Sequence, residues 1–191
     1  MNKKNSAVIF YARLIGAFFL LAFVAYGFGS QLFASEDNPT KILGALLIVT
    51  NSLMVLSIGI LLRKTLKQYN PLVANIYLFT RIFEAVALSS VIVVTFLKGN
   101  VSKDLGYIFG MLVLGIGSIP MCLTLHKRKI APSWLALWGA IGYTIFAFGM
   151  LMELFGYEWS MYLLSPGGLW EVTFAIWLLI RGSKNVKPEI G

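Results

Sequence analysis

The sequence predicts an all-α, polytopic membrane bundle of six transmembrane helices, with the N-terminus and C-terminus both cytoplasmic. Three observations predict it. The 191 residues are 58% hydrophobic and only 13% charged, with a mean hydropathy of +0.80, far too little polar surface for a soluble domain. The apolar residues are gathered into six blocks, each near the roughly 20 residues that a hydrocarbon core about 30 Å thick requires. The basic residues fall between the blocks and alternate in density from one connection to the next. Little sequence is left for a soluble module, so residues 1–191 read as a single membrane domain.

The first block, 6–29, follows Lys3 and Lys4 and contains Arg13. It has a second reading as a cleavable signal peptide, with an apolar region from Leu14 to Phe28 and a poor cleavage site at Phe33-Ala34-Ser35. Arg13 and the length of the run favour a retained helix. The second block, 41–62, carries Asn51, and the third, 72–97, opens beside Pro71 and carries Arg81 and Glu84. The fourth, 105–125, ends in His126 and Lys127-Arg128-Lys129. Pro132 opens the fifth, 132–155, a position where a helix tolerates proline. Pro166-Gly167-Gly168 opens the sixth, 166–181, which carries Glu171.

Orientation follows from the short connections. One side collects Lys3, Lys4, Arg13, Arg63, Lys64, Lys67, Lys127, Arg128, Lys129, Arg181, Lys184 and Lys187, against Lys41, Lys98 and Lys103 on the other. The positive-inside rule makes the richer side cytoplasmic, in a bacterial inner membrane. The same rule accounts for the net charge of +8, and no nucleic-acid partner is expected. Trp134 and Trp138 begin the fifth helix, while Tyr157, Trp159, Tyr162 and Trp170 gather near the outer interface, where amphipathic rings anchor. The apolar connection 156–165 is expected to lie in that interface, with a cap over a cavity as the alternative. Ala12 with Gly16, Gly106 with Gly110, and Ala136 with Ala140 have the four-residue spacing of close helix contacts in lipid.

The inventory excludes several chemistries. A single cysteine, Cys122, and a single histidine, His126, leave no thiolate metal site and no bis-histidine haem. No cofactor or metal is expected. Asp37 and Asp104, the only aspartates, fall in outer loops. Ser118 in Gly115-Ile-Gly117-Ser118 lies about 12 Å along one helix from His126, too far for activation.

The informative residues are the polar ones that hydrocarbon excludes. An unpaired charge near the bilayer centre costs at least about 2.5–3.5 kcal/mol, so such residues usually face the bundle interior and pair. At a rise of about 1.5 Å per residue, Arg81 and Glu171 lie about 15 Å deep, and Asn51 and Glu84 about 18–20 Å. Arg81 and Glu84 share one helix face, with Tyr77 one turn below. Arg13 is shallower, roughly 10 Å from the cytoplasmic end, and within snorkelling reach of headgroups. With both glutamates ionised, Arg81 leaves one excess negative charge in this layer. That charge calls for Arg13, a bound cation or a proton. The candidate site is therefore Arg81, Glu84, Glu171, Asn51, Arg13 and Tyr77. Three readings remain open: a pocket binding a small molecule or lipid headgroup for transport or sensing, an enzyme using a glutamate as acid/base on a lipid-soluble substrate, and a salt-bridged clasp in a structural or accessory subunit. The expected partners are the lipid bilayer and a lipid or small amphiphilic ligand.

Four stretches resemble a known family. Ala12-Arg13-Leu14-Ile15-Gly16, Arg81-Ile82-Phe83-Glu84-Ala85, Ile130-Ala131-Pro132-Ser133-Trp134-Leu135, and Glu171 leading to Trp177-Leu178-Leu179-Ile180-Arg181-Gly182 resemble, in order, the bacterial membrane proteins grouped as domain-of-unknown-function family 4386. The first outer loop is shorter here than in that family, which bears on any loop-borne function. The resemblance implies an integral membrane fold and no established reaction. It also implies recurring polar positions at Arg13, Arg81, Glu84 and Glu171.

Overall fold

The computed structural model describes residues 3–98, 105–157 and 162–181. The described residues form six helices: α1 Lys3–Phe33, α2 Asn38–Leu66, α3 Pro71–Lys98, α4 Leu105–Lys127, α5 Ser133–Leu154 and α6 Ser165–Arg181. All six contain a stretch long and apolar enough to cross a membrane. Glu158, Trp159, Lys103, Asp104, Lys184 and Lys187, which entered the sequence reading, lie outside the described residues.

Local chemistry sets the ends. Asp37 caps α2, accepting the Thr40 N–H at 3.0 Å, with Pro39 in the first turn. The Thr40 side chain and N–H hold the exposed Asp37 carboxyl below its usual range. α4 ends in a Schellman turn: the Ile130 N–H reaches the Leu125 carbonyl and the Lys129 N–H the His126 carbonyl. Lys129 takes the left-handed position (φ 51°) that glycine usually fills, and Ile130 tucks into the core behind it.

Each helix packs against its neighbours in sequence, and α6 returns to α1, closing a ring of six. The ring's outer surface is apolar on every helix, with Leu21, Leu53, Val86, Ile116, Ile141 and Ile180 all more than half exposed. In water that surface would drive association; in a bilayer it is the solvated face.

Two glycine contacts fix how α1 crosses the ring. At the end bearing Arg63, Lys64 and Lys127, hereafter the basic end, a Cβ on Gly16 would lie 2.6 Å from the Ala175 carbonyl oxygen, so α1 lies directly on α6. At the opposite end, Gly44 of α2 backs onto the Phe33 backbone with no room for a Cβ, so α1 lies directly on α2. Between them, the Phe23 ring reaches across to Gly168 of α6, its Cζ 3.4 Å from where a Cβ on that glycine would lie. Of the other expected small-residue contacts, Gly110 faces Ala87, and Ala136 and Ala140 are buried.

Candidate functional site

Arg81 projects from the middle of α3 into the ring and is 1% exposed. Its flank on α2 is Gly59, where a Cβ would fall 2.7 Å from the Arg81 Cβ; a larger residue would displace the arginine stem. Arg81 Nε donates to the Tyr77 hydroxyl at 2.8 Å, one turn below. One terminal nitrogen donates to Glu84 Oε2 at 2.8 Å, one turn above, and the other to Glu171 Oε1 at 3.0 Å on α6. The α3 and α6 helices are not neighbours in the ring, so this last bond crosses the interior.

Two further contacts hold the cluster. The Tyr143 hydroxyl of α5 donates to the same Glu171 Oε1 at 2.6 Å. The guanidinium lies 5.2 Å from the ring centroids of both Phe19 on α1 and Tyr77, within the range where a cation is attracted to an aromatic face. Besides α3 itself, α1, α5 and α6 thus each supply a side chain that touches Arg81 or its carboxylates, and α2 meets the arginine stem through Gly59.

Of the residues singled out from sequence, the structure brings Arg81, Glu84, Glu171 and Tyr77 into one hydrogen-bonded cluster. Asn51 is 4% exposed and lines the same cavity, but takes part in none of those bonds. Arg13 is not brought in: it stands exposed on α1, one turn and more toward the basic end from Phe19. The excess charge in the layer therefore has no second arginine to balance it.

Tyr143 and Phe19 are not in the candidate set drawn from the sequence, although the mid-helix tyrosine of α5 was legible there as a residue able to line the interior. Trp170 is a correction. Read from sequence as an interfacial anchor, it is instead fully buried, donating from Nε1 to the Leu135 carbonyl at 2.6 Å. Its ring stacks on Phe174 at 4.7 Å and meets Tyr143 edge-on at 5.3 Å. The sixth helix turns this ring inward against α5, and the indole N–H finds a backbone carbonyl there rather than headgroups. Trp134, by contrast, is 59% exposed, as an anchor requires.

Above the charged cluster, away from the basic end, the ring is hollow. A cavity of about 580 Å³ runs from Arg81, Glu84, Glu171 and Asn51 at its floor toward the levels of Gly27, Tyr107 and Ser165. Its walls are apolar and aromatic, including Phe19, Tyr26, Val55, Leu88, Leu114 and Phe146. The volume falls in the usual range of small-molecule sites, and the pattern of apolar walls with a few convergent polar groups is theirs too. The exposed residues of the lining are Phe23 and Gly27 of α1 and Ser165 and Leu169 of α6. The opening therefore faces the α1–α6 seam.

Among the described lining residues, Arg81, Glu84 and Glu171 are the charged ones. An arginine is always protonated, so two ionised carboxylates leave the floor with one net negative charge. Glu171 accepts two hydrogen bonds, from Arg81 and Tyr143, and Glu84 accepts one, from Arg81.

One family model matches residues 14–182, nearly the whole described chain; its description is a domain of unknown function, DUF4386. No curated protein and no solved structure matches the chain.

Proposed function

We propose that this chain, which belongs to the DUF4386 family, is a multi-pass protein of the bacterial cytoplasmic membrane that binds a small amphiphile in the cavity between its helices, for transport or sensing. The polar group of the ligand sits on the floor made by Arg81, Glu84, Glu171 and Asn51, and its apolar part lies along the aromatic walls. The basic end is the cytoplasmic one, which follows from the lysines and arginines there. The cavity then opens in the outer leaflet.

One observation carries this reading: the buried charges stand at the floor of a cavity rather than in a packed interior. A clasp needs no empty space, and interiors close-pack when nothing else is required of them. An opening at the seam between two lipid-facing helices favours a ligand that arrives through the bilayer.

Gly27 supplies the test, because a Cβ there meets nothing within 4 Å. Gly27→Leu adds a Cβ that meets no neighbour and improves helix propensity, and it is expected to narrow the mouth that Gly27 lines. Native mass spectrometry of the wild-type chain released from lipid nanodiscs is expected to show a retained amphiphile. Gly27→Leu is expected to lower that occupancy at least fivefold without loss of thermal stability. A wild-type chain that emerges with no adduct, or equal occupancy in the variant, overturns the reading.

A further inference from the structure

We infer that the cavity takes a lipophilic monocation and gives up one proton when it does so, an exchange made at the charged floor. The inference rests on the ligand-binding reading above and adds to it the charge of the ligand and what leaves when it enters.

The argument is a charge balance in a medium that tolerates no imbalance. A net charge buried in a low-dielectric interior is strongly disfavoured and is removed by protonation or by a counter-ion. The floor holds one cation, Arg81, and two carboxylates, Glu84 and Glu171. Arg13, the nearest further arginine of α1 in the sequence, is exposed on the outside of the bundle and does not contribute. The groups facing the two carboxylates from the surrounding helices are Tyr77 and Arg81 of α3, Tyr143 of α5, Asn51 of α2, and the Phe19 ring of α1. Tyr107 of α4 stands higher in the cavity, and Cys122 of α4 lies behind Trp170. The tyrosines and the thiol are neutral in their ordinary state, so Arg81 is the single positive charge. An empty cavity is then neutral with one proton on the carboxylate pair. A cavity holding a monocation is neutral with none.

Hydrogen bonding says where the proton resides. Glu171 Oε1 is already held by both Arg81 and Tyr143, whereas Glu84 accepts from Arg81 alone and keeps an oxygen free to carry a proton. The proton therefore resides on Glu84, which is 4% exposed and lines the cavity. On binding, the O–H bond of Glu84 breaks, the proton leaves to solvent, and the cation replaces its charge. No electron moves and no other bond is made.

The walls suit such a ligand. Phe19 and Tyr143 flank the floor, and Tyr26 and Tyr107 stack at 5.9 Å with 9° between their planes nearer the mouth. Aromatic faces attract a cation most strongly where it is desolvated. An anion of the same shape meets the same rings and a floor that carries no spare positive charge.

The test uses the full chain in nanodiscs with tetraphenylphosphonium as probe and tetraphenylborate as its anionic counterpart. Tetraphenylphosphonium is expected to bind with release of about one proton into weakly buffered solution, its apparent Kd falling about tenfold per pH unit while the proton competes. Tetraphenylborate is expected to show no saturable binding blocked by Gly27→Leu. Glu84→Gln, which carries a fixed neutral carboxamide, is expected to abolish both the proton release and the pH dependence. Binding of the phosphonium without proton release, or binding of the borate at the Gly27-gated site, overturns the exchange while leaving the cavity as a ligand site. If neither probe binds and no adduct is retained, both readings fail together.

Discussion

The two halves of the bundle are built differently. Toward the basic end the interior is solid: Leu66, Ala74, Met121, Leu135, Ala136 and Ala175 are all fully buried, one or more from each of five helices. Toward the other end the same helices enclose about 580 Å³ of open space. The charged cluster lies at the boundary between them, with Tyr77 below it in the packed half and Glu84 and Asn51 above it at the cavity floor. A bundle that needed polar groups only to register its helices would have little reason to place them at such a boundary. The contrast teaches that close packing fixes the helices in one half only, and the proposed ligand would occupy the other.

The largest expected effect comes from the boundary itself. Arg81→Met leaves the two buried glutamates without the cation they share, and a buried pair broken in this way costs about 3–5 kcal/mol. Reversible unfolding in mixed micelles measures it. Adding Glu84→Gln and Glu171→Gln to Arg81→Met removes the unpaired charges and is expected to restore most of that stability. The triple variant is expected to remain unable to bind ligand, which separates the cluster's structural part from its binding part.

Equal truncations in the two halves should differ next. Leu135→Ala, in the packed half, opens a new hole and is expected to cost about 2–5 kcal/mol. Leu114→Ala, at a residue already bordering the cavity, loses contacts on one side only and is expected to cost roughly half as much. Equal losses would mean that the hollow half is as filled in the membrane as the basic half. Trp170→Phe removes one buried hydrogen bond to Leu135 and keeps the aromatic stack, for an expected loss of about 1 kcal/mol. The smallest effect belongs to Lys129→Gly, which relieves the left-handed residue in the α4–α5 turn and is expected to gain up to about 1 kcal/mol.

Much of this was legible in the sequence, for physical reasons that also mark where legibility stopped. Helices in a bilayer must satisfy their backbone internally, so length and hydropathy suffice to find six of them. The i, i+3 spacing of Arg81 and Glu84 makes them neighbours on any helix. Depth counting brought Glu171 to the same level because an α-helix rises by a nearly constant amount per residue, and the Arg81–Glu171 bond joins the two at that level. Depth does not give rotation, however. Arg13, shallower than the rest and within snorkelling reach, and Asn51, near the midplane, both entered the candidate set, and the azimuth of each helix then turns Asn51 to the cavity and Arg13 outward. Gly16 meets α6 and Gly29 meets α2, a choice of neighbour that no spacing within one helix specifies. Trp170 shows the same limit: an indole near a helix start reads as an anchor until the partner helix presents the Leu135 carbonyl.

The central claim is that the hollow half is a binding site whose polar floor is Arg81, Glu84, Glu171 and Asn51. An experimentally determined structure of the chain in a lipid nanodisc tests it most directly. Non-protein density is expected above Arg81, its polar end within hydrogen-bonding distance of Glu84 or Asn51 and the rest extending toward Phe23 and Leu169. A cavity closed by inward rotation of its own aromatic side chains, with Arg81 still held by both glutamates and nothing bound, would contradict it.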